Sequence, residues 1–466
     1  MDSKKNNVIF KYYSYILTAL LCSVLLLIYI VRIWADYKVY PLYATIFSLL
    51  LLAVVLIVAV CGRPDAGKRQ KINRALFTFW LLLCICMLFS DLAVIKRYGF
   101  VSIILLVPFT GLFLVLNRAA PDVRINFLKC FITAVEISFV ISTLFCIMFR
   151  PHADATRYSG MMTNPNVYAK YLVTVWVCLL TKFDEIISNN LKRLYSIING
   201  FEIGILLMLL YRTGARTSFL AIAFTAFIWF CIRLYKNRRE GTPIIRHIVS
   251  CFIGALAGMA ACFILLSAVP NIVNHPIIYK DDKVFVTESD KTICYASEIS
   301  ESERDNDDGR PTDNPVSDII SSEESEPALF QRILSMFQGN QSLDTILNSR
   351  LSIFKSYLGS INIKGHKKYS KNVDGNNVAN AHNSFIQMAY SYGLPSAVIY
   401  IILNLLVLIK SVKYYLKNIG RKKYAVLPML ITIAFLITSM FEAIIVPMHS
   451  LLALSYYIGI GEVMNS

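Results

Sequence analysis

Long apolar runs separated by short basic stretches dominate the pattern of hydrophobic and polar positions. Bounded by charge, they fall at about 11–33, 40–61, 75–95, 98–116, 126–149, 165–182, 196–211, 214–235, 247–269, 384–409, 424–446 and 449–464. A helix of about 20 apolar residues crosses about 30 Å of hydrocarbon, so the pattern predicts about twelve transmembrane helices. The runs at 196–211 and 449–464 sit near the lower length limit. The first run, around Tyr15 to Ile30, is too long for a signal-peptide core and no small-residue cleavage site follows it, so it reads as a retained span. The expected fold class is all-α: a polytopic integral membrane protein with one large extracytoplasmic loop. Its three regions are a membrane domain at 1–269 with nine spans, the loop at 270–381, and a second membrane part at 382–466 with three.

Composition sharpens this. The chain has 466 residues, 56% hydrophobic and 16% charged, with a mean hydropathy of +0.56. Soluble domains average about 45–50% apolar and about 25% charged. A soluble single-core enzyme, a disordered chain and a fibrous repeat are excluded. The net charge of +16 would suit nucleic acid if it were clustered, but it is not. With the N-terminus inside, the inner segments hold 25 Lys or Arg and the short outer segments eight. That bias orients basic loops to the cytoplasm. The charge is an orientation signal, and no nucleic-acid partner is expected.

The same alternation places the large loop outside. It holds 17 of the 30 acids, and Glu298 to Glu326 carries eleven of them against two arginines. Such a stretch buries too little surface to fold alone, so 288–326 reads as a disordered acidic tract. At 329–361 the pattern turns amphipathic and helical, with Phe330, Ile333, Leu334 and Phe337, then Leu351, Phe354 and Leu358. Ten of the eleven cysteines lie in or beside spans and Cys294 stands alone in the loop, which gives neither a disulfide framework nor a zinc site. Asp305-Asn306-Asp307 resembles a metal-holding pair of carboxylates, but it lies within the acidic tract, and no metal is expected.

Four short segments carry candidate chemistry. Gly160-Met-Met-Thr-Asn-Pro-Asn166 opens the sixth span, where Pro165 suits a helix start and both a capping role and a functional one remain open for Asn164 and Asn166. Tyr211-Arg-Thr-Gly-Ala-Arg-Thr-Ser218 sets Arg212 and Arg216 in an outer turn, against the charge bias. Snorkelling toward headgroups and an anion site, built on donor-rich guanidinium forks beside a helix N-terminus, both remain open there. Arg350 lies in the amphipathic half of the loop. His382, before an apolar helix, offers an imidazole suited to taking a proton from a hydroxyl, while Asn383 reads equally as an N-cap. Within spans, Asp91, Glu136, Lys170, Glu202 and Glu442 are costly unless paired or facing water. Asp91, Lys170 and Glu442 fall in the outer half, beside the arginines and His382.

Taken together these segments resemble the bacterial O-antigen ligase and O-antigen (capsular polysaccharide) polymerase superfamily. Asn164-Pro165-Asn166 followed by Ala169 is similar to its Asn-Pro-Asn segment, and Thr213-Gly-Ala-Arg216-Thr-Ser to its Thr-Gly-Ser-Arg-Gly segment. Arg350 with Phe354 looks like its loop arginine and aromatic. His382-Asn383 with Gly393-Leu-Pro395 looks like its His-Asn and Gly-(Leu/Ile)-Pro pair. The segments come in the family's order, and the loop falls at the matching place. Ala215 and Thr217 depart from the usual serine and glycine, which puts the backbone beside Arg216 in question.

The resemblance implies a metal-independent integral-membrane glycosyltransferase of the bacterial cytoplasmic membrane, with no cofactor. Its donor would be a glycan on a polyprenyl diphosphate lipid and its acceptor a glycan or lipid-linked glycan. Arg216 and Arg350 would stabilise the leaving diphosphate, with Arg212 in support, and His382 would be the general base. Asn164, Asn166 and Asn383 are expected to bind substrate. The alternative from another class is a polytopic transporter or a lipid-linked glycan flippase. Transporters usually show two matching halves, whereas this chain divides nine spans to three without an internal repeat.

Overall fold

A computed structural model describes residues 14–23, 72–94, 100–118, 121–150, 157–162, 164–240, 244–273, 283–286, 293–296, 350–373, 376–446 and 450–464. The helices, in chain order, are α1 (Ser14–Ser23), α2 (Arg74–Ala93), α3 (Phe100–Ile104, a π-helical turn at Leu105–Phe109, then Thr110–Arg118), α4 (Pro121–Phe149) and α5 (Pro165–Ser188). They continue with α6 (Arg193–Thr213), α7 (Arg216–Glu240), α8 (Ile244–Val273), α9 (Arg350–Leu358), α10 (Ser384–Asn418), α11 (Leu427–Phe441) and α12 (Leu451–Met464). Among the described residues, six helices are long and apolar enough to cross a membrane: α2, α4, α6, α7, α8 and α10.

The helical expectation holds over the described residues with two small exceptions. Antiparallel hairpins pair β1 (Lys283–Val286) with β2 (Ile293–Ala296), and β3 (Lys371–Val373) with β4 (Asn376–Val378). Strand β2 falls inside the boundaries expected for the acidic tract at 288–326. The rest of that tract, including Asp305 and Asp307, the span expected at 40–61 and the amphipathic stretch up to Ser349 lie outside the described residues. Of that stretch, α9 is the described part.

The core is built around α12, apolar on nearly every side as enclosed helices are, and around α5, whose Lys170, Lys182 and Asp184 side chains are paired. All of α12 is buried, as is most of α5. Trp80 of α2, Phe113 of α3 and Tyr457 of α12 meet edge to face at 4.9 and 5.7 Å. At the periphery, α8 leaves Phe252 and Ile264 about three-fifths exposed, as befits a lipid-facing surface. It pairs closely with α6 through small residues on both helices. A Cβ on Gly204 would meet the Ala255 carbonyl oxygen at 2.0 Å, and one on Gly254 the Ile197 oxygen at 2.1 Å. Glycines at four-residue spacing let two backbones approach in this way.

Three elements depart from the regular spans expected. Pro108 lies in the π-helical turn that interrupts α3. Helix α11 stops at Phe441, and Glu442 is already extended (φ −141°, ψ 144°), so the run at 424–446 is helical for 15 residues only. Helix α10 kinks at Gly393 (φ 84°, ψ 163°), a conformation open to glycine and strained for other residues. Pro395 has no N–H for the Ser391 carbonyl, and the Leu394 N–H turns outward to Asn362 O at 3.0 Å. His366 satisfies the groups this releases. His366 donates its backbone N–H to Ser391 O at 3.3 Å and, with the proton on Nδ1, its ring donates to Tyr390 O at 2.9 Å. The Gly-Leu-Pro segment is thus a socket into which residues 362–366 are stapled.

Candidate active site at one end of the bundle

The Asn-Pro-Asn segment builds the first wall. Asn164 is extended and its Oδ1 accepts the Asn166 N–H at 2.8 Å, capping α5 with Pro165 in the first turn. The Asn166 side chain instead faces a cation: Arg157 Nη2 donates to its Oδ1 at 2.8 Å. The same guanidinium donates through Nε to Thr213 O at 2.9 Å. Tyr158 N–H donates to Arg212 O at 2.8 Å. Arg157 therefore ties the start of α5 to the α6–α7 turn.

That turn is tight for a local reason. Gly214 takes the left-handed conformation (φ 60°) that closes α6, and Thr213 Oγ1 accepts the Ala215 N–H at 3.2 Å. Arg216 then opens α7. Ala215, where the resembled family has serine, is 3% exposed, a position suited to a small side chain. The Arg212 guanidinium lies 5.8 Å from the Phe263 ring centroid, directed toward α8.

The second wall comes from α9, the start of α10 and the end of α11. Arg350 opens α9 and donates through Nη1 to Phe441 O at 2.8 Å, a carbonyl at the C-terminal end of α11 where a cation suits the helix dipole. Its Nη2 lies 3.3 Å from Glu442 Oε1. Lys170, one turn beyond Asn166 on α5, lies 3.6 Å from the other oxygen, Oε2. Asn383 caps α10, accepting the N–H groups of Phe385 and Ile386 at 2.9 and 3.0 Å. It also donates to Met440 O at 2.8 Å, and Ser384 Oγ donates to Glu442 O at 2.8 Å. Arg350, Lys170 and the His382-Asn383 pair therefore all converge on the end of α11.

His382 is half-buried and sits at φ 47°, a left-handed conformation that costs a non-glycine residue about 1–3 kcal/mol and persists only where its surroundings impose it. Its N–H donates to Asn380 Oδ1 at 2.9 Å. Ala381 N–H donates to Gln387 Oε1 at 2.6 Å, and Gln387 Nε2 donates to Tyr369 O at 3.2 Å. Tyr357 OH braces the hairpin below, its one proton shared between Tyr369 O and Val378 O at 3.2 and 3.0 Å. Burial pushes the Tyr357 and Tyr369 phenols up to about 12, so both stay protonated and able to donate.

Of the charged residues expected within spans, Glu136, Lys170, Glu202 and Glu442 stand in ion pairs. Lys182 faces Glu136 at 3.1 Å and Glu202 at 3.6 Å, away from the convergence just described. Asp91 accepts a hydrogen bond from Ser102, near the end of α2 where Ser90 Oγ donates to Lys364 O at 2.7 Å. Asp184 and Arg233 form a further buried pair at the opposite end. Trp229 and Tyr415 donate to the same carboxylate oxygen at 2.7 and 2.8 Å. Sequence reasoning missed this pair because Asp184 falls just past the end of the run at 165–182, where an ordinary solvated charge is expected. It also passed over Arg157 and Gln387. An arginine in a short outer segment against the charge bias was the available signal for the first; a lone glutamine in an apolar helix gave none.

A family model described as O-antigen ligase matches residues 203–401. The match spans Arg212, Arg216, Arg350, His382, Asn383 and the Gly393-Leu-Pro395 kink, and begins after Asn164-Pro165-Asn166. No curated protein matches the chain.

Proposed function

We propose that this chain, which a family model described as O-antigen ligase matches over residues 203–401, joins a glycan from a polyprenyl diphosphate lipid to an acceptor sugar. The acceptor hydroxyl attacks the donor's anomeric carbon. Its oxygen forms the new bond to that carbon, and its proton passes to the His382 imidazole. The bond from the anomeric carbon to the phosphate oxygen breaks, and its electron pair leaves with the polyprenyl diphosphate. Negative charge grows on the leaving group in surroundings poor in water, where fixed donors stabilise it strongly. Arg216 and Arg350 supply those donors.

One observation carries this reading. The segment of His382 and the guanidinium of Arg350 are both tied to the last turn of α11, through Asn383 to Met440 O and through Arg350 to Phe441 O. A base and a cation that the loop separates by more than 30 residues thus share one anchoring point, as a reaction with a proton taken at one atom and charge released nearby requires. In this reading Asn166 and Asn383 act through their bonds to Arg157 and α11 rather than by touching sugar, and Asn164 as a cap. The site faces the outside of the cytoplasmic membrane, where surface glycans are assembled.

Polymerase and ligase share the donor and differ in acceptor, and we favour polymerase because it needs no acceptor beyond a second lipid-linked glycan. Deleting the gene and resolving surface glycans on a gel tests this. A polymerase deletion leaves single repeat units attached. Loss of all attached glycan, with polymer remaining on the lipid carrier, identifies a ligase. An unchanged glycan profile overturns the glycosyltransferase reading.

A further inference from the structure

We propose that the Glu442 carboxylate is an internal stand-in for the donor's diphosphate. It holds Arg350 and Lys170 in place and yields them when the diphosphate arrives. The inference rests on the diphosphate donor argued above and assigns Glu442 and Lys170 to its recognition.

Two cations from different elements, α9 and α5, approach the two oxygens of one carboxylate at 3.3 and 3.6 Å. All three side chains are largely withdrawn from solvent, at 19%, 12% and 10% exposure for Arg350, Lys170 and Glu442. Cations brought together with little water need an anion between them, since removing either partner of such a pair leaves an uncompensated charge. Glu442 supplies that anion, but loosely. Close charge-assisted bonds run at about 2.7–2.9 Å, and both separations here are longer. The three groups carry two positive charges and one negative. A diphosphate brings more charge and more acceptor oxygens than a carboxylate and would satisfy the cations better.

Glu442 caps the C-terminus of α11 with its backbone, and its carboxylate takes no part in that cap. It is the first residue past α11, with extended backbone, and its main chain is held independently. Its N–H donates to Thr438 O at 2.9 Å, and its carbonyl accepts from Ser384 Oγ. The side chain can swing away while those bonds and the Arg350 bond to Phe441 O persist. A purely structural ion pair and a stand-in make opposite demands: removing a structural tie loosens the cations and weakens anion binding, whereas removing a competitor strengthens it.

The test measures binding of inorganic pyrophosphate, and in parallel of a polyprenyl diphosphate, to the purified full-length protein in nanodiscs. Glu442→Gln should tighten pyrophosphate binding by about tenfold, and Lys170→Gln should weaken it by a similar factor. Glu442→Asp, which shortens the arm and keeps the charge, should also tighten binding and serves if the glutamine variant does not fold. Unchanged or weaker binding by a folded Glu442 variant overturns the inference. Wild-type protein that binds neither pyrophosphate nor polyprenyl diphosphate overturns the donor reading along with it. Binding with the expected opposite signs, alongside full transfer in His382→Ala, would remove the proposed base and leave this inference standing.

Discussion

The side-chain oxygen of Gln387 accepts the amide proton of Ala381 at 2.6 Å, one residue before His382. Gln387 is 2% exposed, and its nitrogen also donates to Ser391 Oγ at 2.7 Å. A buried carboxamide thus sets the path of the chain into the imidazole. Gln387→Leu keeps the volume and removes these bonds. Misplacement of a reacting group by about 1 Å costs about 10²-fold in rate, and a loss of that order in transfer is expected with polyprenyl diphosphate binding unchanged. Hydrogen exchange at residues 379–383 should quicken. Combined with His382→Ala, the change should cost nothing further, because Gln387 acts through the histidine; an additional loss would show a separate role.

On the proposed mechanism, His382→Ala should slow transfer by about 10²–10⁴-fold, the usual contribution of a general base, while donor binding survives. Arg216→Lys keeps the charge but loses the planar fork and should also cost activity heavily. Arg350→Ala should weaken donor binding instead. Transfer from purified polyprenyl diphosphate glycan, with binding assayed separately, distinguishes the three. The same assay in EDTA should proceed at full rate; inhibition would bring a metal into the mechanism.

Gly204→Ala should destabilise the α6–α8 pair, because the new methyl would lie 2.0 Å from the Ala255 carbonyl oxygen and the helices must part. Overpacking of this kind costs about 1–3 kcal/mol. A lower midpoint of thermal unfolding in detergent, with kinetics of the folded fraction unaltered, is the expected outcome. An unchanged midpoint would mean that the helix contact is looser than described.

Asp184→Ala should be among the most damaging changes far from the candidate site. It strands Arg233, whose side chain is 5% exposed, and removes the acceptor shared by Trp229 and Tyr415. Breaking a buried pair by one partner costs about 3–5 kcal/mol. Arg233→Met in the Asp184→Leu background should recover much of the loss, since replacing both charges by apolar groups is often close to neutral. Expression and thermal stability read the comparison; a double variant as unstable as the single would rule out simple charge stranding.

What the sequence determined by itself is what depends on neighbours within a turn or two. Apolar runs placed the described helices to within a few residues in most cases, because burial in hydrocarbon is set by composition along one segment. Asn164 and Asn383 are caps, as their positions before apolar helices suggested, because a cap bonds amides two or three residues ahead. The short segments around Arg216, Arg350 and His382 were legible as candidate chemistry and as a family resemblance. Tertiary structure decided which groups meet. Lys170 and Glu442 pair across 272 positions, and Asp184 pairs with Arg233, because helix packing, which no local rule specifies, turns those faces toward each other. The kink at Gly393 became a socket only when residues 362–366 supplied partners for the carbonyls it frees. The end of α11 at Phe441, in the middle of an apolar run, has the same origin. Arg350, Asn383 and Ser384 bond the terminal backbone there, and hydropathy carries no trace of partners brought in from distant parts of the chain.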